Sequence, residues 1–164
     1  MPFTPFHLGF GALVKSAAPA RFSFFAFATA QVLMDLEPGY KMLTQSDSDL
    51  HVITHNSPGA ILIALATVLV CLALKRWSPQ RYRVQIPKVS LPILMISALI
   101  GTLSHVFLDG LYHFDLHMVQ YGMADRFALA SLSGTESLCL IMLVVAMVIW
   151  GFQHLFNIFH KTNS

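Results

Sequence analysis

The chain has 164 residues, 55% of them hydrophobic and only 11% charged, with a mean hydropathy of +0.64; an ordinary soluble domain is about 25% charged. These figures exclude a water-soluble globule, a disordered chain and a strongly basic nucleic-acid binder, and the length suits one helical bundle. The net charge is +2, yet eight histidines equal all Asp and Glu together, an excess that an apolar chain has little use for unless something binds the imidazoles.

The opening MPFTPFHLGFGALVK has no Lys or Arg before Lys15. It therefore lacks the basic start of a secretory signal and is expected to be retained. His7 to Lys15 encloses seven uncharged residues and Arg21 to Asp35 thirteen, too few for either piece to span a membrane comfortably. Ala18-Pro19-Ala20 breaks the pattern between them, because proline disfavours helix at the residue before it. A hairpin over 6–35 that dips in and returns is expected, or a second piece that spans with local thinning. Asp35 is placed at the end of the second helix.

Nineteen uncharged residues follow between His55 and Lys75, twenty lie between Lys88 and Asp109, and twenty-four between Glu136 and Lys161. At about 1.5 Å per residue the shortest run covers roughly 28 Å, close to the hydrocarbon thickness of a bilayer. Transmembrane helices are predicted at about 56–75, 89–114 and 135–159. The fold class is thus all-α: an integral-membrane helical bundle, three long transmembrane helices plus the N-terminal hairpin or short spanning helix, in a single domain over 1–164.

Loop charge sets the orientation. The segment KRWSPQRYRVQIPK (75–88) carries five basic residues and no acid, whereas 35–57 carries Asp35, Glu37, Asp47 and Asp49 against Lys41 alone. By the positive-inside rule the 75–88 loop is cytoplasmic, and 35–57 and 110–135 lie outside. That topology brings Asp35, His55, His105 and Asp109 to one membrane level from three segments, and a hairpin adds His7. His105, Asp109 and His113 follow i, i+4, i+8 spacing, as His51 and His55 follow i, i+4, so each set shares a helix face. Imidazoles with carboxylates suit zinc or a similar divalent ion.

The plain alternatives weigh against each residue taken singly. A lone histidine in an apolar helix is more often hydrogen-bonded structure than a ligand, and a bare HxxxD spacing occurs by chance. Ionisable residues near a bilayer are costly, however, and tend to be functional. His117 is expected in the outer loop, His154 and His160 at the cytoplasmic interface, and Glu136 in the first turn of the last helix. Asp47 and Asp49 read as a solvated loop. Cys71 and Cys139 read as small buried hydrophobes.

Four segments come in an ordered set: MPFTPFHLG, VLMDLEP (32–38), LHVITHNS (50–57) and LIGTLSHVFLDG (99–110). Together they resemble the membrane-bound metal-dependent hydrolases of the YdjM-like group, which is distantly similar to zinc-dependent phospholipases C and single-strand nucleases. By position, His7 matches the family's N-terminal histidine, Asp35 its Asp after the second helix, His55 its Thr-His signature, and His105 with Asp109 its HxxxD helix. The stretch YHFDLHMVQ sets His113 and Asp115 where the family continues. The resemblance implies one ion held by Asp35, His55, His105 and Asp109, with His7 and Asp109 helping to hold another.

The expected function is a membrane-bound hydrolase in which metal-activated water attacks a phosphodiester or ester, with a phospholipid or lipid-linked substrate. Its metal ligands are His7, Asp35, His55, His105, Asp109 and His113, and its ion is zinc. Glu37 or His51 serves as general base. The setting is the cytoplasmic membrane of a prokaryote, with membrane lipids as partners and nucleic acid not expected. The rival readings are a non-enzymatic membrane protein with a structural metal or polar cluster, and a small metal or proton transporter.

Overall fold

The computed structural model describes residues 4–44, 54, 56–77, 89–110 and 132–162. All the regular structure in them is α-helical: α1 (Thr4–Ala17), α2 (Phe24–Leu43), α3 (Ser57–Trp77), α4 (Leu91–Gly110) and α5 (Leu132–Thr162). Among the described residues, three segments are long and apolar enough to cross a membrane, Ser57–Trp77, Leu91–Asp109 and Leu138–Ile158. They mark the chain as a membrane protein.

The N-terminal pair is built by local chemistry. α1 stops at Ala17, before Pro19, as the proline predicts. Lys15 Nζ then donates to Pro19 O at 2.5 Å and Phe22 O at 2.9 Å, meeting carbonyls of the turn just beyond the helix end. Ser23 caps α2: its backbone is extended and its Oγ accepts from Ala26 N, satisfying one of the orphan donors of the first turn. Ser23 N–H in turn donates to Ser97 Oγ at 2.8 Å, tying the start of α2 to α4.

α2 does not end at Asp35 as expected from the sequence. It runs on through Pro38 to Leu43. Proline removes one backbone donor, but a Glu37–Lys41 pair four residues apart spans the site at 2.7 Å, and Thr44 N–H closes the helix on Tyr40 O. α2 is therefore as long as α4, at 20 residues each. At the start of α3, Asn56 Oδ1 accepts from Gly59 N at 2.7 Å, an N-cap.

Packing sets the helix directions. Ala26 packs with Ala64, Val68 and Cys71 of α3 and with Leu94 and Ala98 of α4, and Met34 packs with Ala60 and Val106. α3 thus runs opposite to α2 and α4, which are parallel. α1 packs on α2 and α5. Gly9 abuts the backbone of Cys139, and Ser16 O accepts from Gln153 Nε2 at 3.0 Å, so α1 and α5 run in the same direction. The 18–23 turn, with Lys15 and Arg21, lies at the same end as Lys75 and Arg76 of α3. The start of α1 and the C-terminal half of α2 lie toward the other end, with the end of α4.

Candidate metal centre

Glycine makes the centre possible. A Cβ on Gly101 would sit 2.8 Å from Ala30 Cβ and 3.2 Å from Phe27 O, and a Cβ on Gly11 would sit 2.4 Å from the Phe27 ring. These close approaches bring α1, α2 and α4 together around one buried point. On α4, Gly101, His105 and Asp109 follow at intervals of four, and on α2 Gln31 and Asp35 do the same. Each series lies along one helix face, and the two faces meet.

The resulting cluster contains His7, Gln31, Asp35, His105 and Asp109. His7, Gln31 and His105 have no exposed surface and Asp109 only 4%, while the Asp35 side chain is 27% exposed. His105 Nε2 lies 3.1 Å from Asp109 Oδ2 and 3.2 Å from Asp35 Oδ1. His7 Nε2 lies 3.4 Å from Asp109 Oδ1, and although buried it makes no hydrogen bond. On the far side of both rings, Gln31 Oε1 is 2.5 Å from His105 Nδ1 and 3.3 Å from His7 Nδ1. The rings meet edge to face, with centroids 4.4 Å apart and planes at 71°.

Ligand atoms of His7, His105 and Asp109 all fall within 4.8 Å of one another, so this group can hold a metal ion. The three nitrogen–oxygen contacts, at 3.1–3.4 Å, compare with the roughly 3.3–3.4 Å between donors that stand about 2.0–2.1 Å from a tetrahedral zinc. A buried set of imidazole nitrogens and carboxylate oxygens is stable only with positive charge among them, from a metal ion or a proton. α1 is not one of the three candidate spans, and burial there pushes His7 down to about 4, with His105 beside it acting in the same direction against Asp109 and Asp35. The shift favours the neutral form, in which an imidazole coordinates.

The sequence-predicted residues divide. His7, Asp35, His105 and Asp109 converge. Glu37 faces elsewhere: its Oε1 accepts from Lys41 Nζ, and its Oε2 accepts from Thr54 N and Thr54 Oγ1, each at 2.7 Å. His51, His55, His113, Asp115 and His117 lie outside the described residues, as do Asp47, Asp49 and the side chains of Glu136 and His160. His154 is exposed on α5. Cys71 and Cys139 are buried thiols.

Sequence reasoning missed Gln31. The signal was available: it is the one amide in the uncharged run between Arg21 and Asp35, and it stands four residues before Asp35. No protein-family model, curated protein or solved structure matches the chain.

Proposed function

We propose that the chain is an integral-membrane, metal-dependent hydrolase acting on a phosphodiester or ester of a lipid or lipid-linked substrate. The observation that carries the reading is the buried contact of His7 Nε2 with Asp109 Oδ1 at 3.4 Å and of His105 Nε2 with Asp109 Oδ2 and Asp35 Oδ1 at 3.1 and 3.2 Å. The same positions carry the resemblance to the YdjM-like hydrolases in the order of the motifs. Zinc is the ion that this donor set suits best. When bound, it supplies Lewis acidity to a phosphoryl or acyl oxygen and acidifies a water.

The protein's own residues divide the remaining work. His7, His105 and Asp109 are sealed from water and hold the ion. Asp35 is the partly exposed member, so substrate and water reach the centre along its side of α2. Its neighbours Val32 and Leu36 are more than half exposed, an apolar rim that suits an acyl chain. Glu37, with Lys41 and Thr54 on its carboxylate, anchors the chain just before α3; service as a base requires it to release one of them. With the basic ends of α1 and α3 in the cytoplasm, the centre lies toward the outer side of a prokaryotic inner membrane.

One observation favours a second reading. The two imidazoles are fully buried, and a closed coordination shell is the mark of a structural site. A non-enzymatic protein with a structural ion binds metal equally well but turns nothing over. The transporter reading has less support, because the assembled ligands sit toward one end of the bundle rather than through its depth. The deciding experiment is elemental analysis of detergent-purified protein together with phospholipid and phosphodiester hydrolysis, with and without chelator. Stoichiometric zinc with chelator-sensitive turnover is the expected result. Bound zinc without turnover on any phosphodiester or ester assigns the structural role, and absence of metal overturns both.

A further inference from the structure

We infer that Gln31 is the positioning residue of this centre: one side-chain carbonyl holds the Nδ1–H of both His7 and His105, and thereby presents both Nε2 lone pairs to a single ion. The inference rests on the metal-centre reading for its consequence, but its geometry stands independently.

The amide's orientation is decided by its other end. Gln31 Nε2 lies 3.1 Å from Gly101 O, and a backbone carbonyl can only accept, so the NH2 group must face it. The oxygen then faces the imidazoles. At 2.5 Å from His105 Nδ1 it cannot face a bare nitrogen, because two acceptors do not approach so closely; His105 Nδ1 donates. At 3.3 Å the same oxygen, with its second lone pair, takes the Nδ1–H of His7. The two Nδ1 atoms stand 3.1 Å apart, each within reach of that one acceptor.

The competing arrangement is a direct bond from His105 Nδ1–H to a bare His7 Nδ1. It places the hydrogen of His7 on Nε2, 3.4 Å from Asp109 Oδ1 but without hydrogen-bond geometry. Such an N–H gains only a long, misaligned carboxylate contact in return for its lost hydration. With the hydrogen on Nδ1, His7 Nε2 is instead a lone pair beside Asp109, ready for a cation. Metal-binding histidines are commonly oriented by an acceptor on the other ring nitrogen, with one acceptor per ring. Here a single amide serves two rings from two different helices. Its own position depends on the close α2–α4 approach at Gly101, where a Cβ would meet Ala30.

The test has two arms. In the first, zinc affinity of detergent-purified protein is measured by competition with a chelating dye for wild type, Gln31→Leu and Gln31→Glu. Loss of the shared acceptor should weaken binding about 10- to 100-fold in Gln31→Leu, while Gln31→Glu, which keeps an oxygen for both rings, should stay within about threefold of wild type or bind more tightly. Equal affinity in wild type and Gln31→Leu overturns the inference. In the second arm, 15N chemical shifts of labelled histidines are read in metal-free wild type. Protonated Nδ1 on both His7 and His105 is expected, and a bare Nδ1 on His7 overturns the inference. This arm decides even if Gln31→Leu does not fold. If wild type binds no zinc, the metal-centre reading fails while the 15N shifts still judge Gln31.

Discussion

α4 and α5 are both apolar enough to cross a membrane and both carry a histidine in the C-terminal half of the helix. Their surroundings differ. Of the apolar stretch, 44% is buried in α4 and 11% in α5. His105 of α4 is fully enclosed by α1 and α2, whereas His154 of α5 is exposed. Apolar character alone therefore does not tell a buried, clustered histidine from an exposed one. What separates them is the company each helix keeps: α4 is parallel to and closely packed on α2, and α5 packs chiefly on α1.

The largest effect should come from the α4 side. If the group holds zinc as proposed, Asp109→Ala or His105→Ala removes a direct ligand and should weaken zinc binding by more than the roughly 100-fold typical of losing an orienting partner. Competition titration checks this, and binding as tight as wild type in either variant removes the site. α5 enters next, through α1. A Cβ at Gly9 would meet Cys139 O at 2.1 Å, so Gly9→Val should separate α1 from α5 and cost about 3 kcal/mol. Because α1 carries His7, zinc affinity should fall with the melting temperature. If stability falls and affinity does not, α5 has no part in holding the centre.

A milder perturbation addresses the α2–α4 seam. Gly101→Ala meets Ala30 Cβ at 2.8 Å and should cost about 1–3 kcal/mol, read as a lower melting temperature in detergent; an unchanged melt shows that the seam yields. The smallest effect is reserved for the α5 histidine. His154→Ala should leave zinc affinity unchanged and stability within about 0.5 kcal/mol. A loss of metal in this variant would erase the contrast between the two helices.

Much of the architecture could be read from the residues. The three long apolar runs lie on α3, α4 and α5, because a run of that length has only one way to satisfy its backbone in lipid. The break at Pro19 was likewise legible. The extension of α2 past Asp35 was not, since Asp35 closes the uncharged run, and the Glu37–Lys41 pair that bridges Pro38 is a weak signal in isolation. Four of the metal-ligand candidates were legible as ionisable groups brought to one level by topology. Glu37 was drawn in by proximity along the chain to Asp35, but two residues along a helix turn a side chain about 200° away, toward Thr54 instead.

The sequence by itself determined that this is a membrane-type helical bundle, which residues are chemically able to bind a metal, and which end of the bundle holds them. Hydropathy, charge asymmetry and i, i+4 spacing are properties of segments, and they survive without knowing which segments touch. Only the tertiary structure decided that His7 reaches His105 across 98 positions of chain, that Gln31 stands between Gly101 and both rings, and that His154 is left outside. Those outcomes depend on glycines that let particular backbones close to contact, and contact between helices far apart in sequence is written in no single helix.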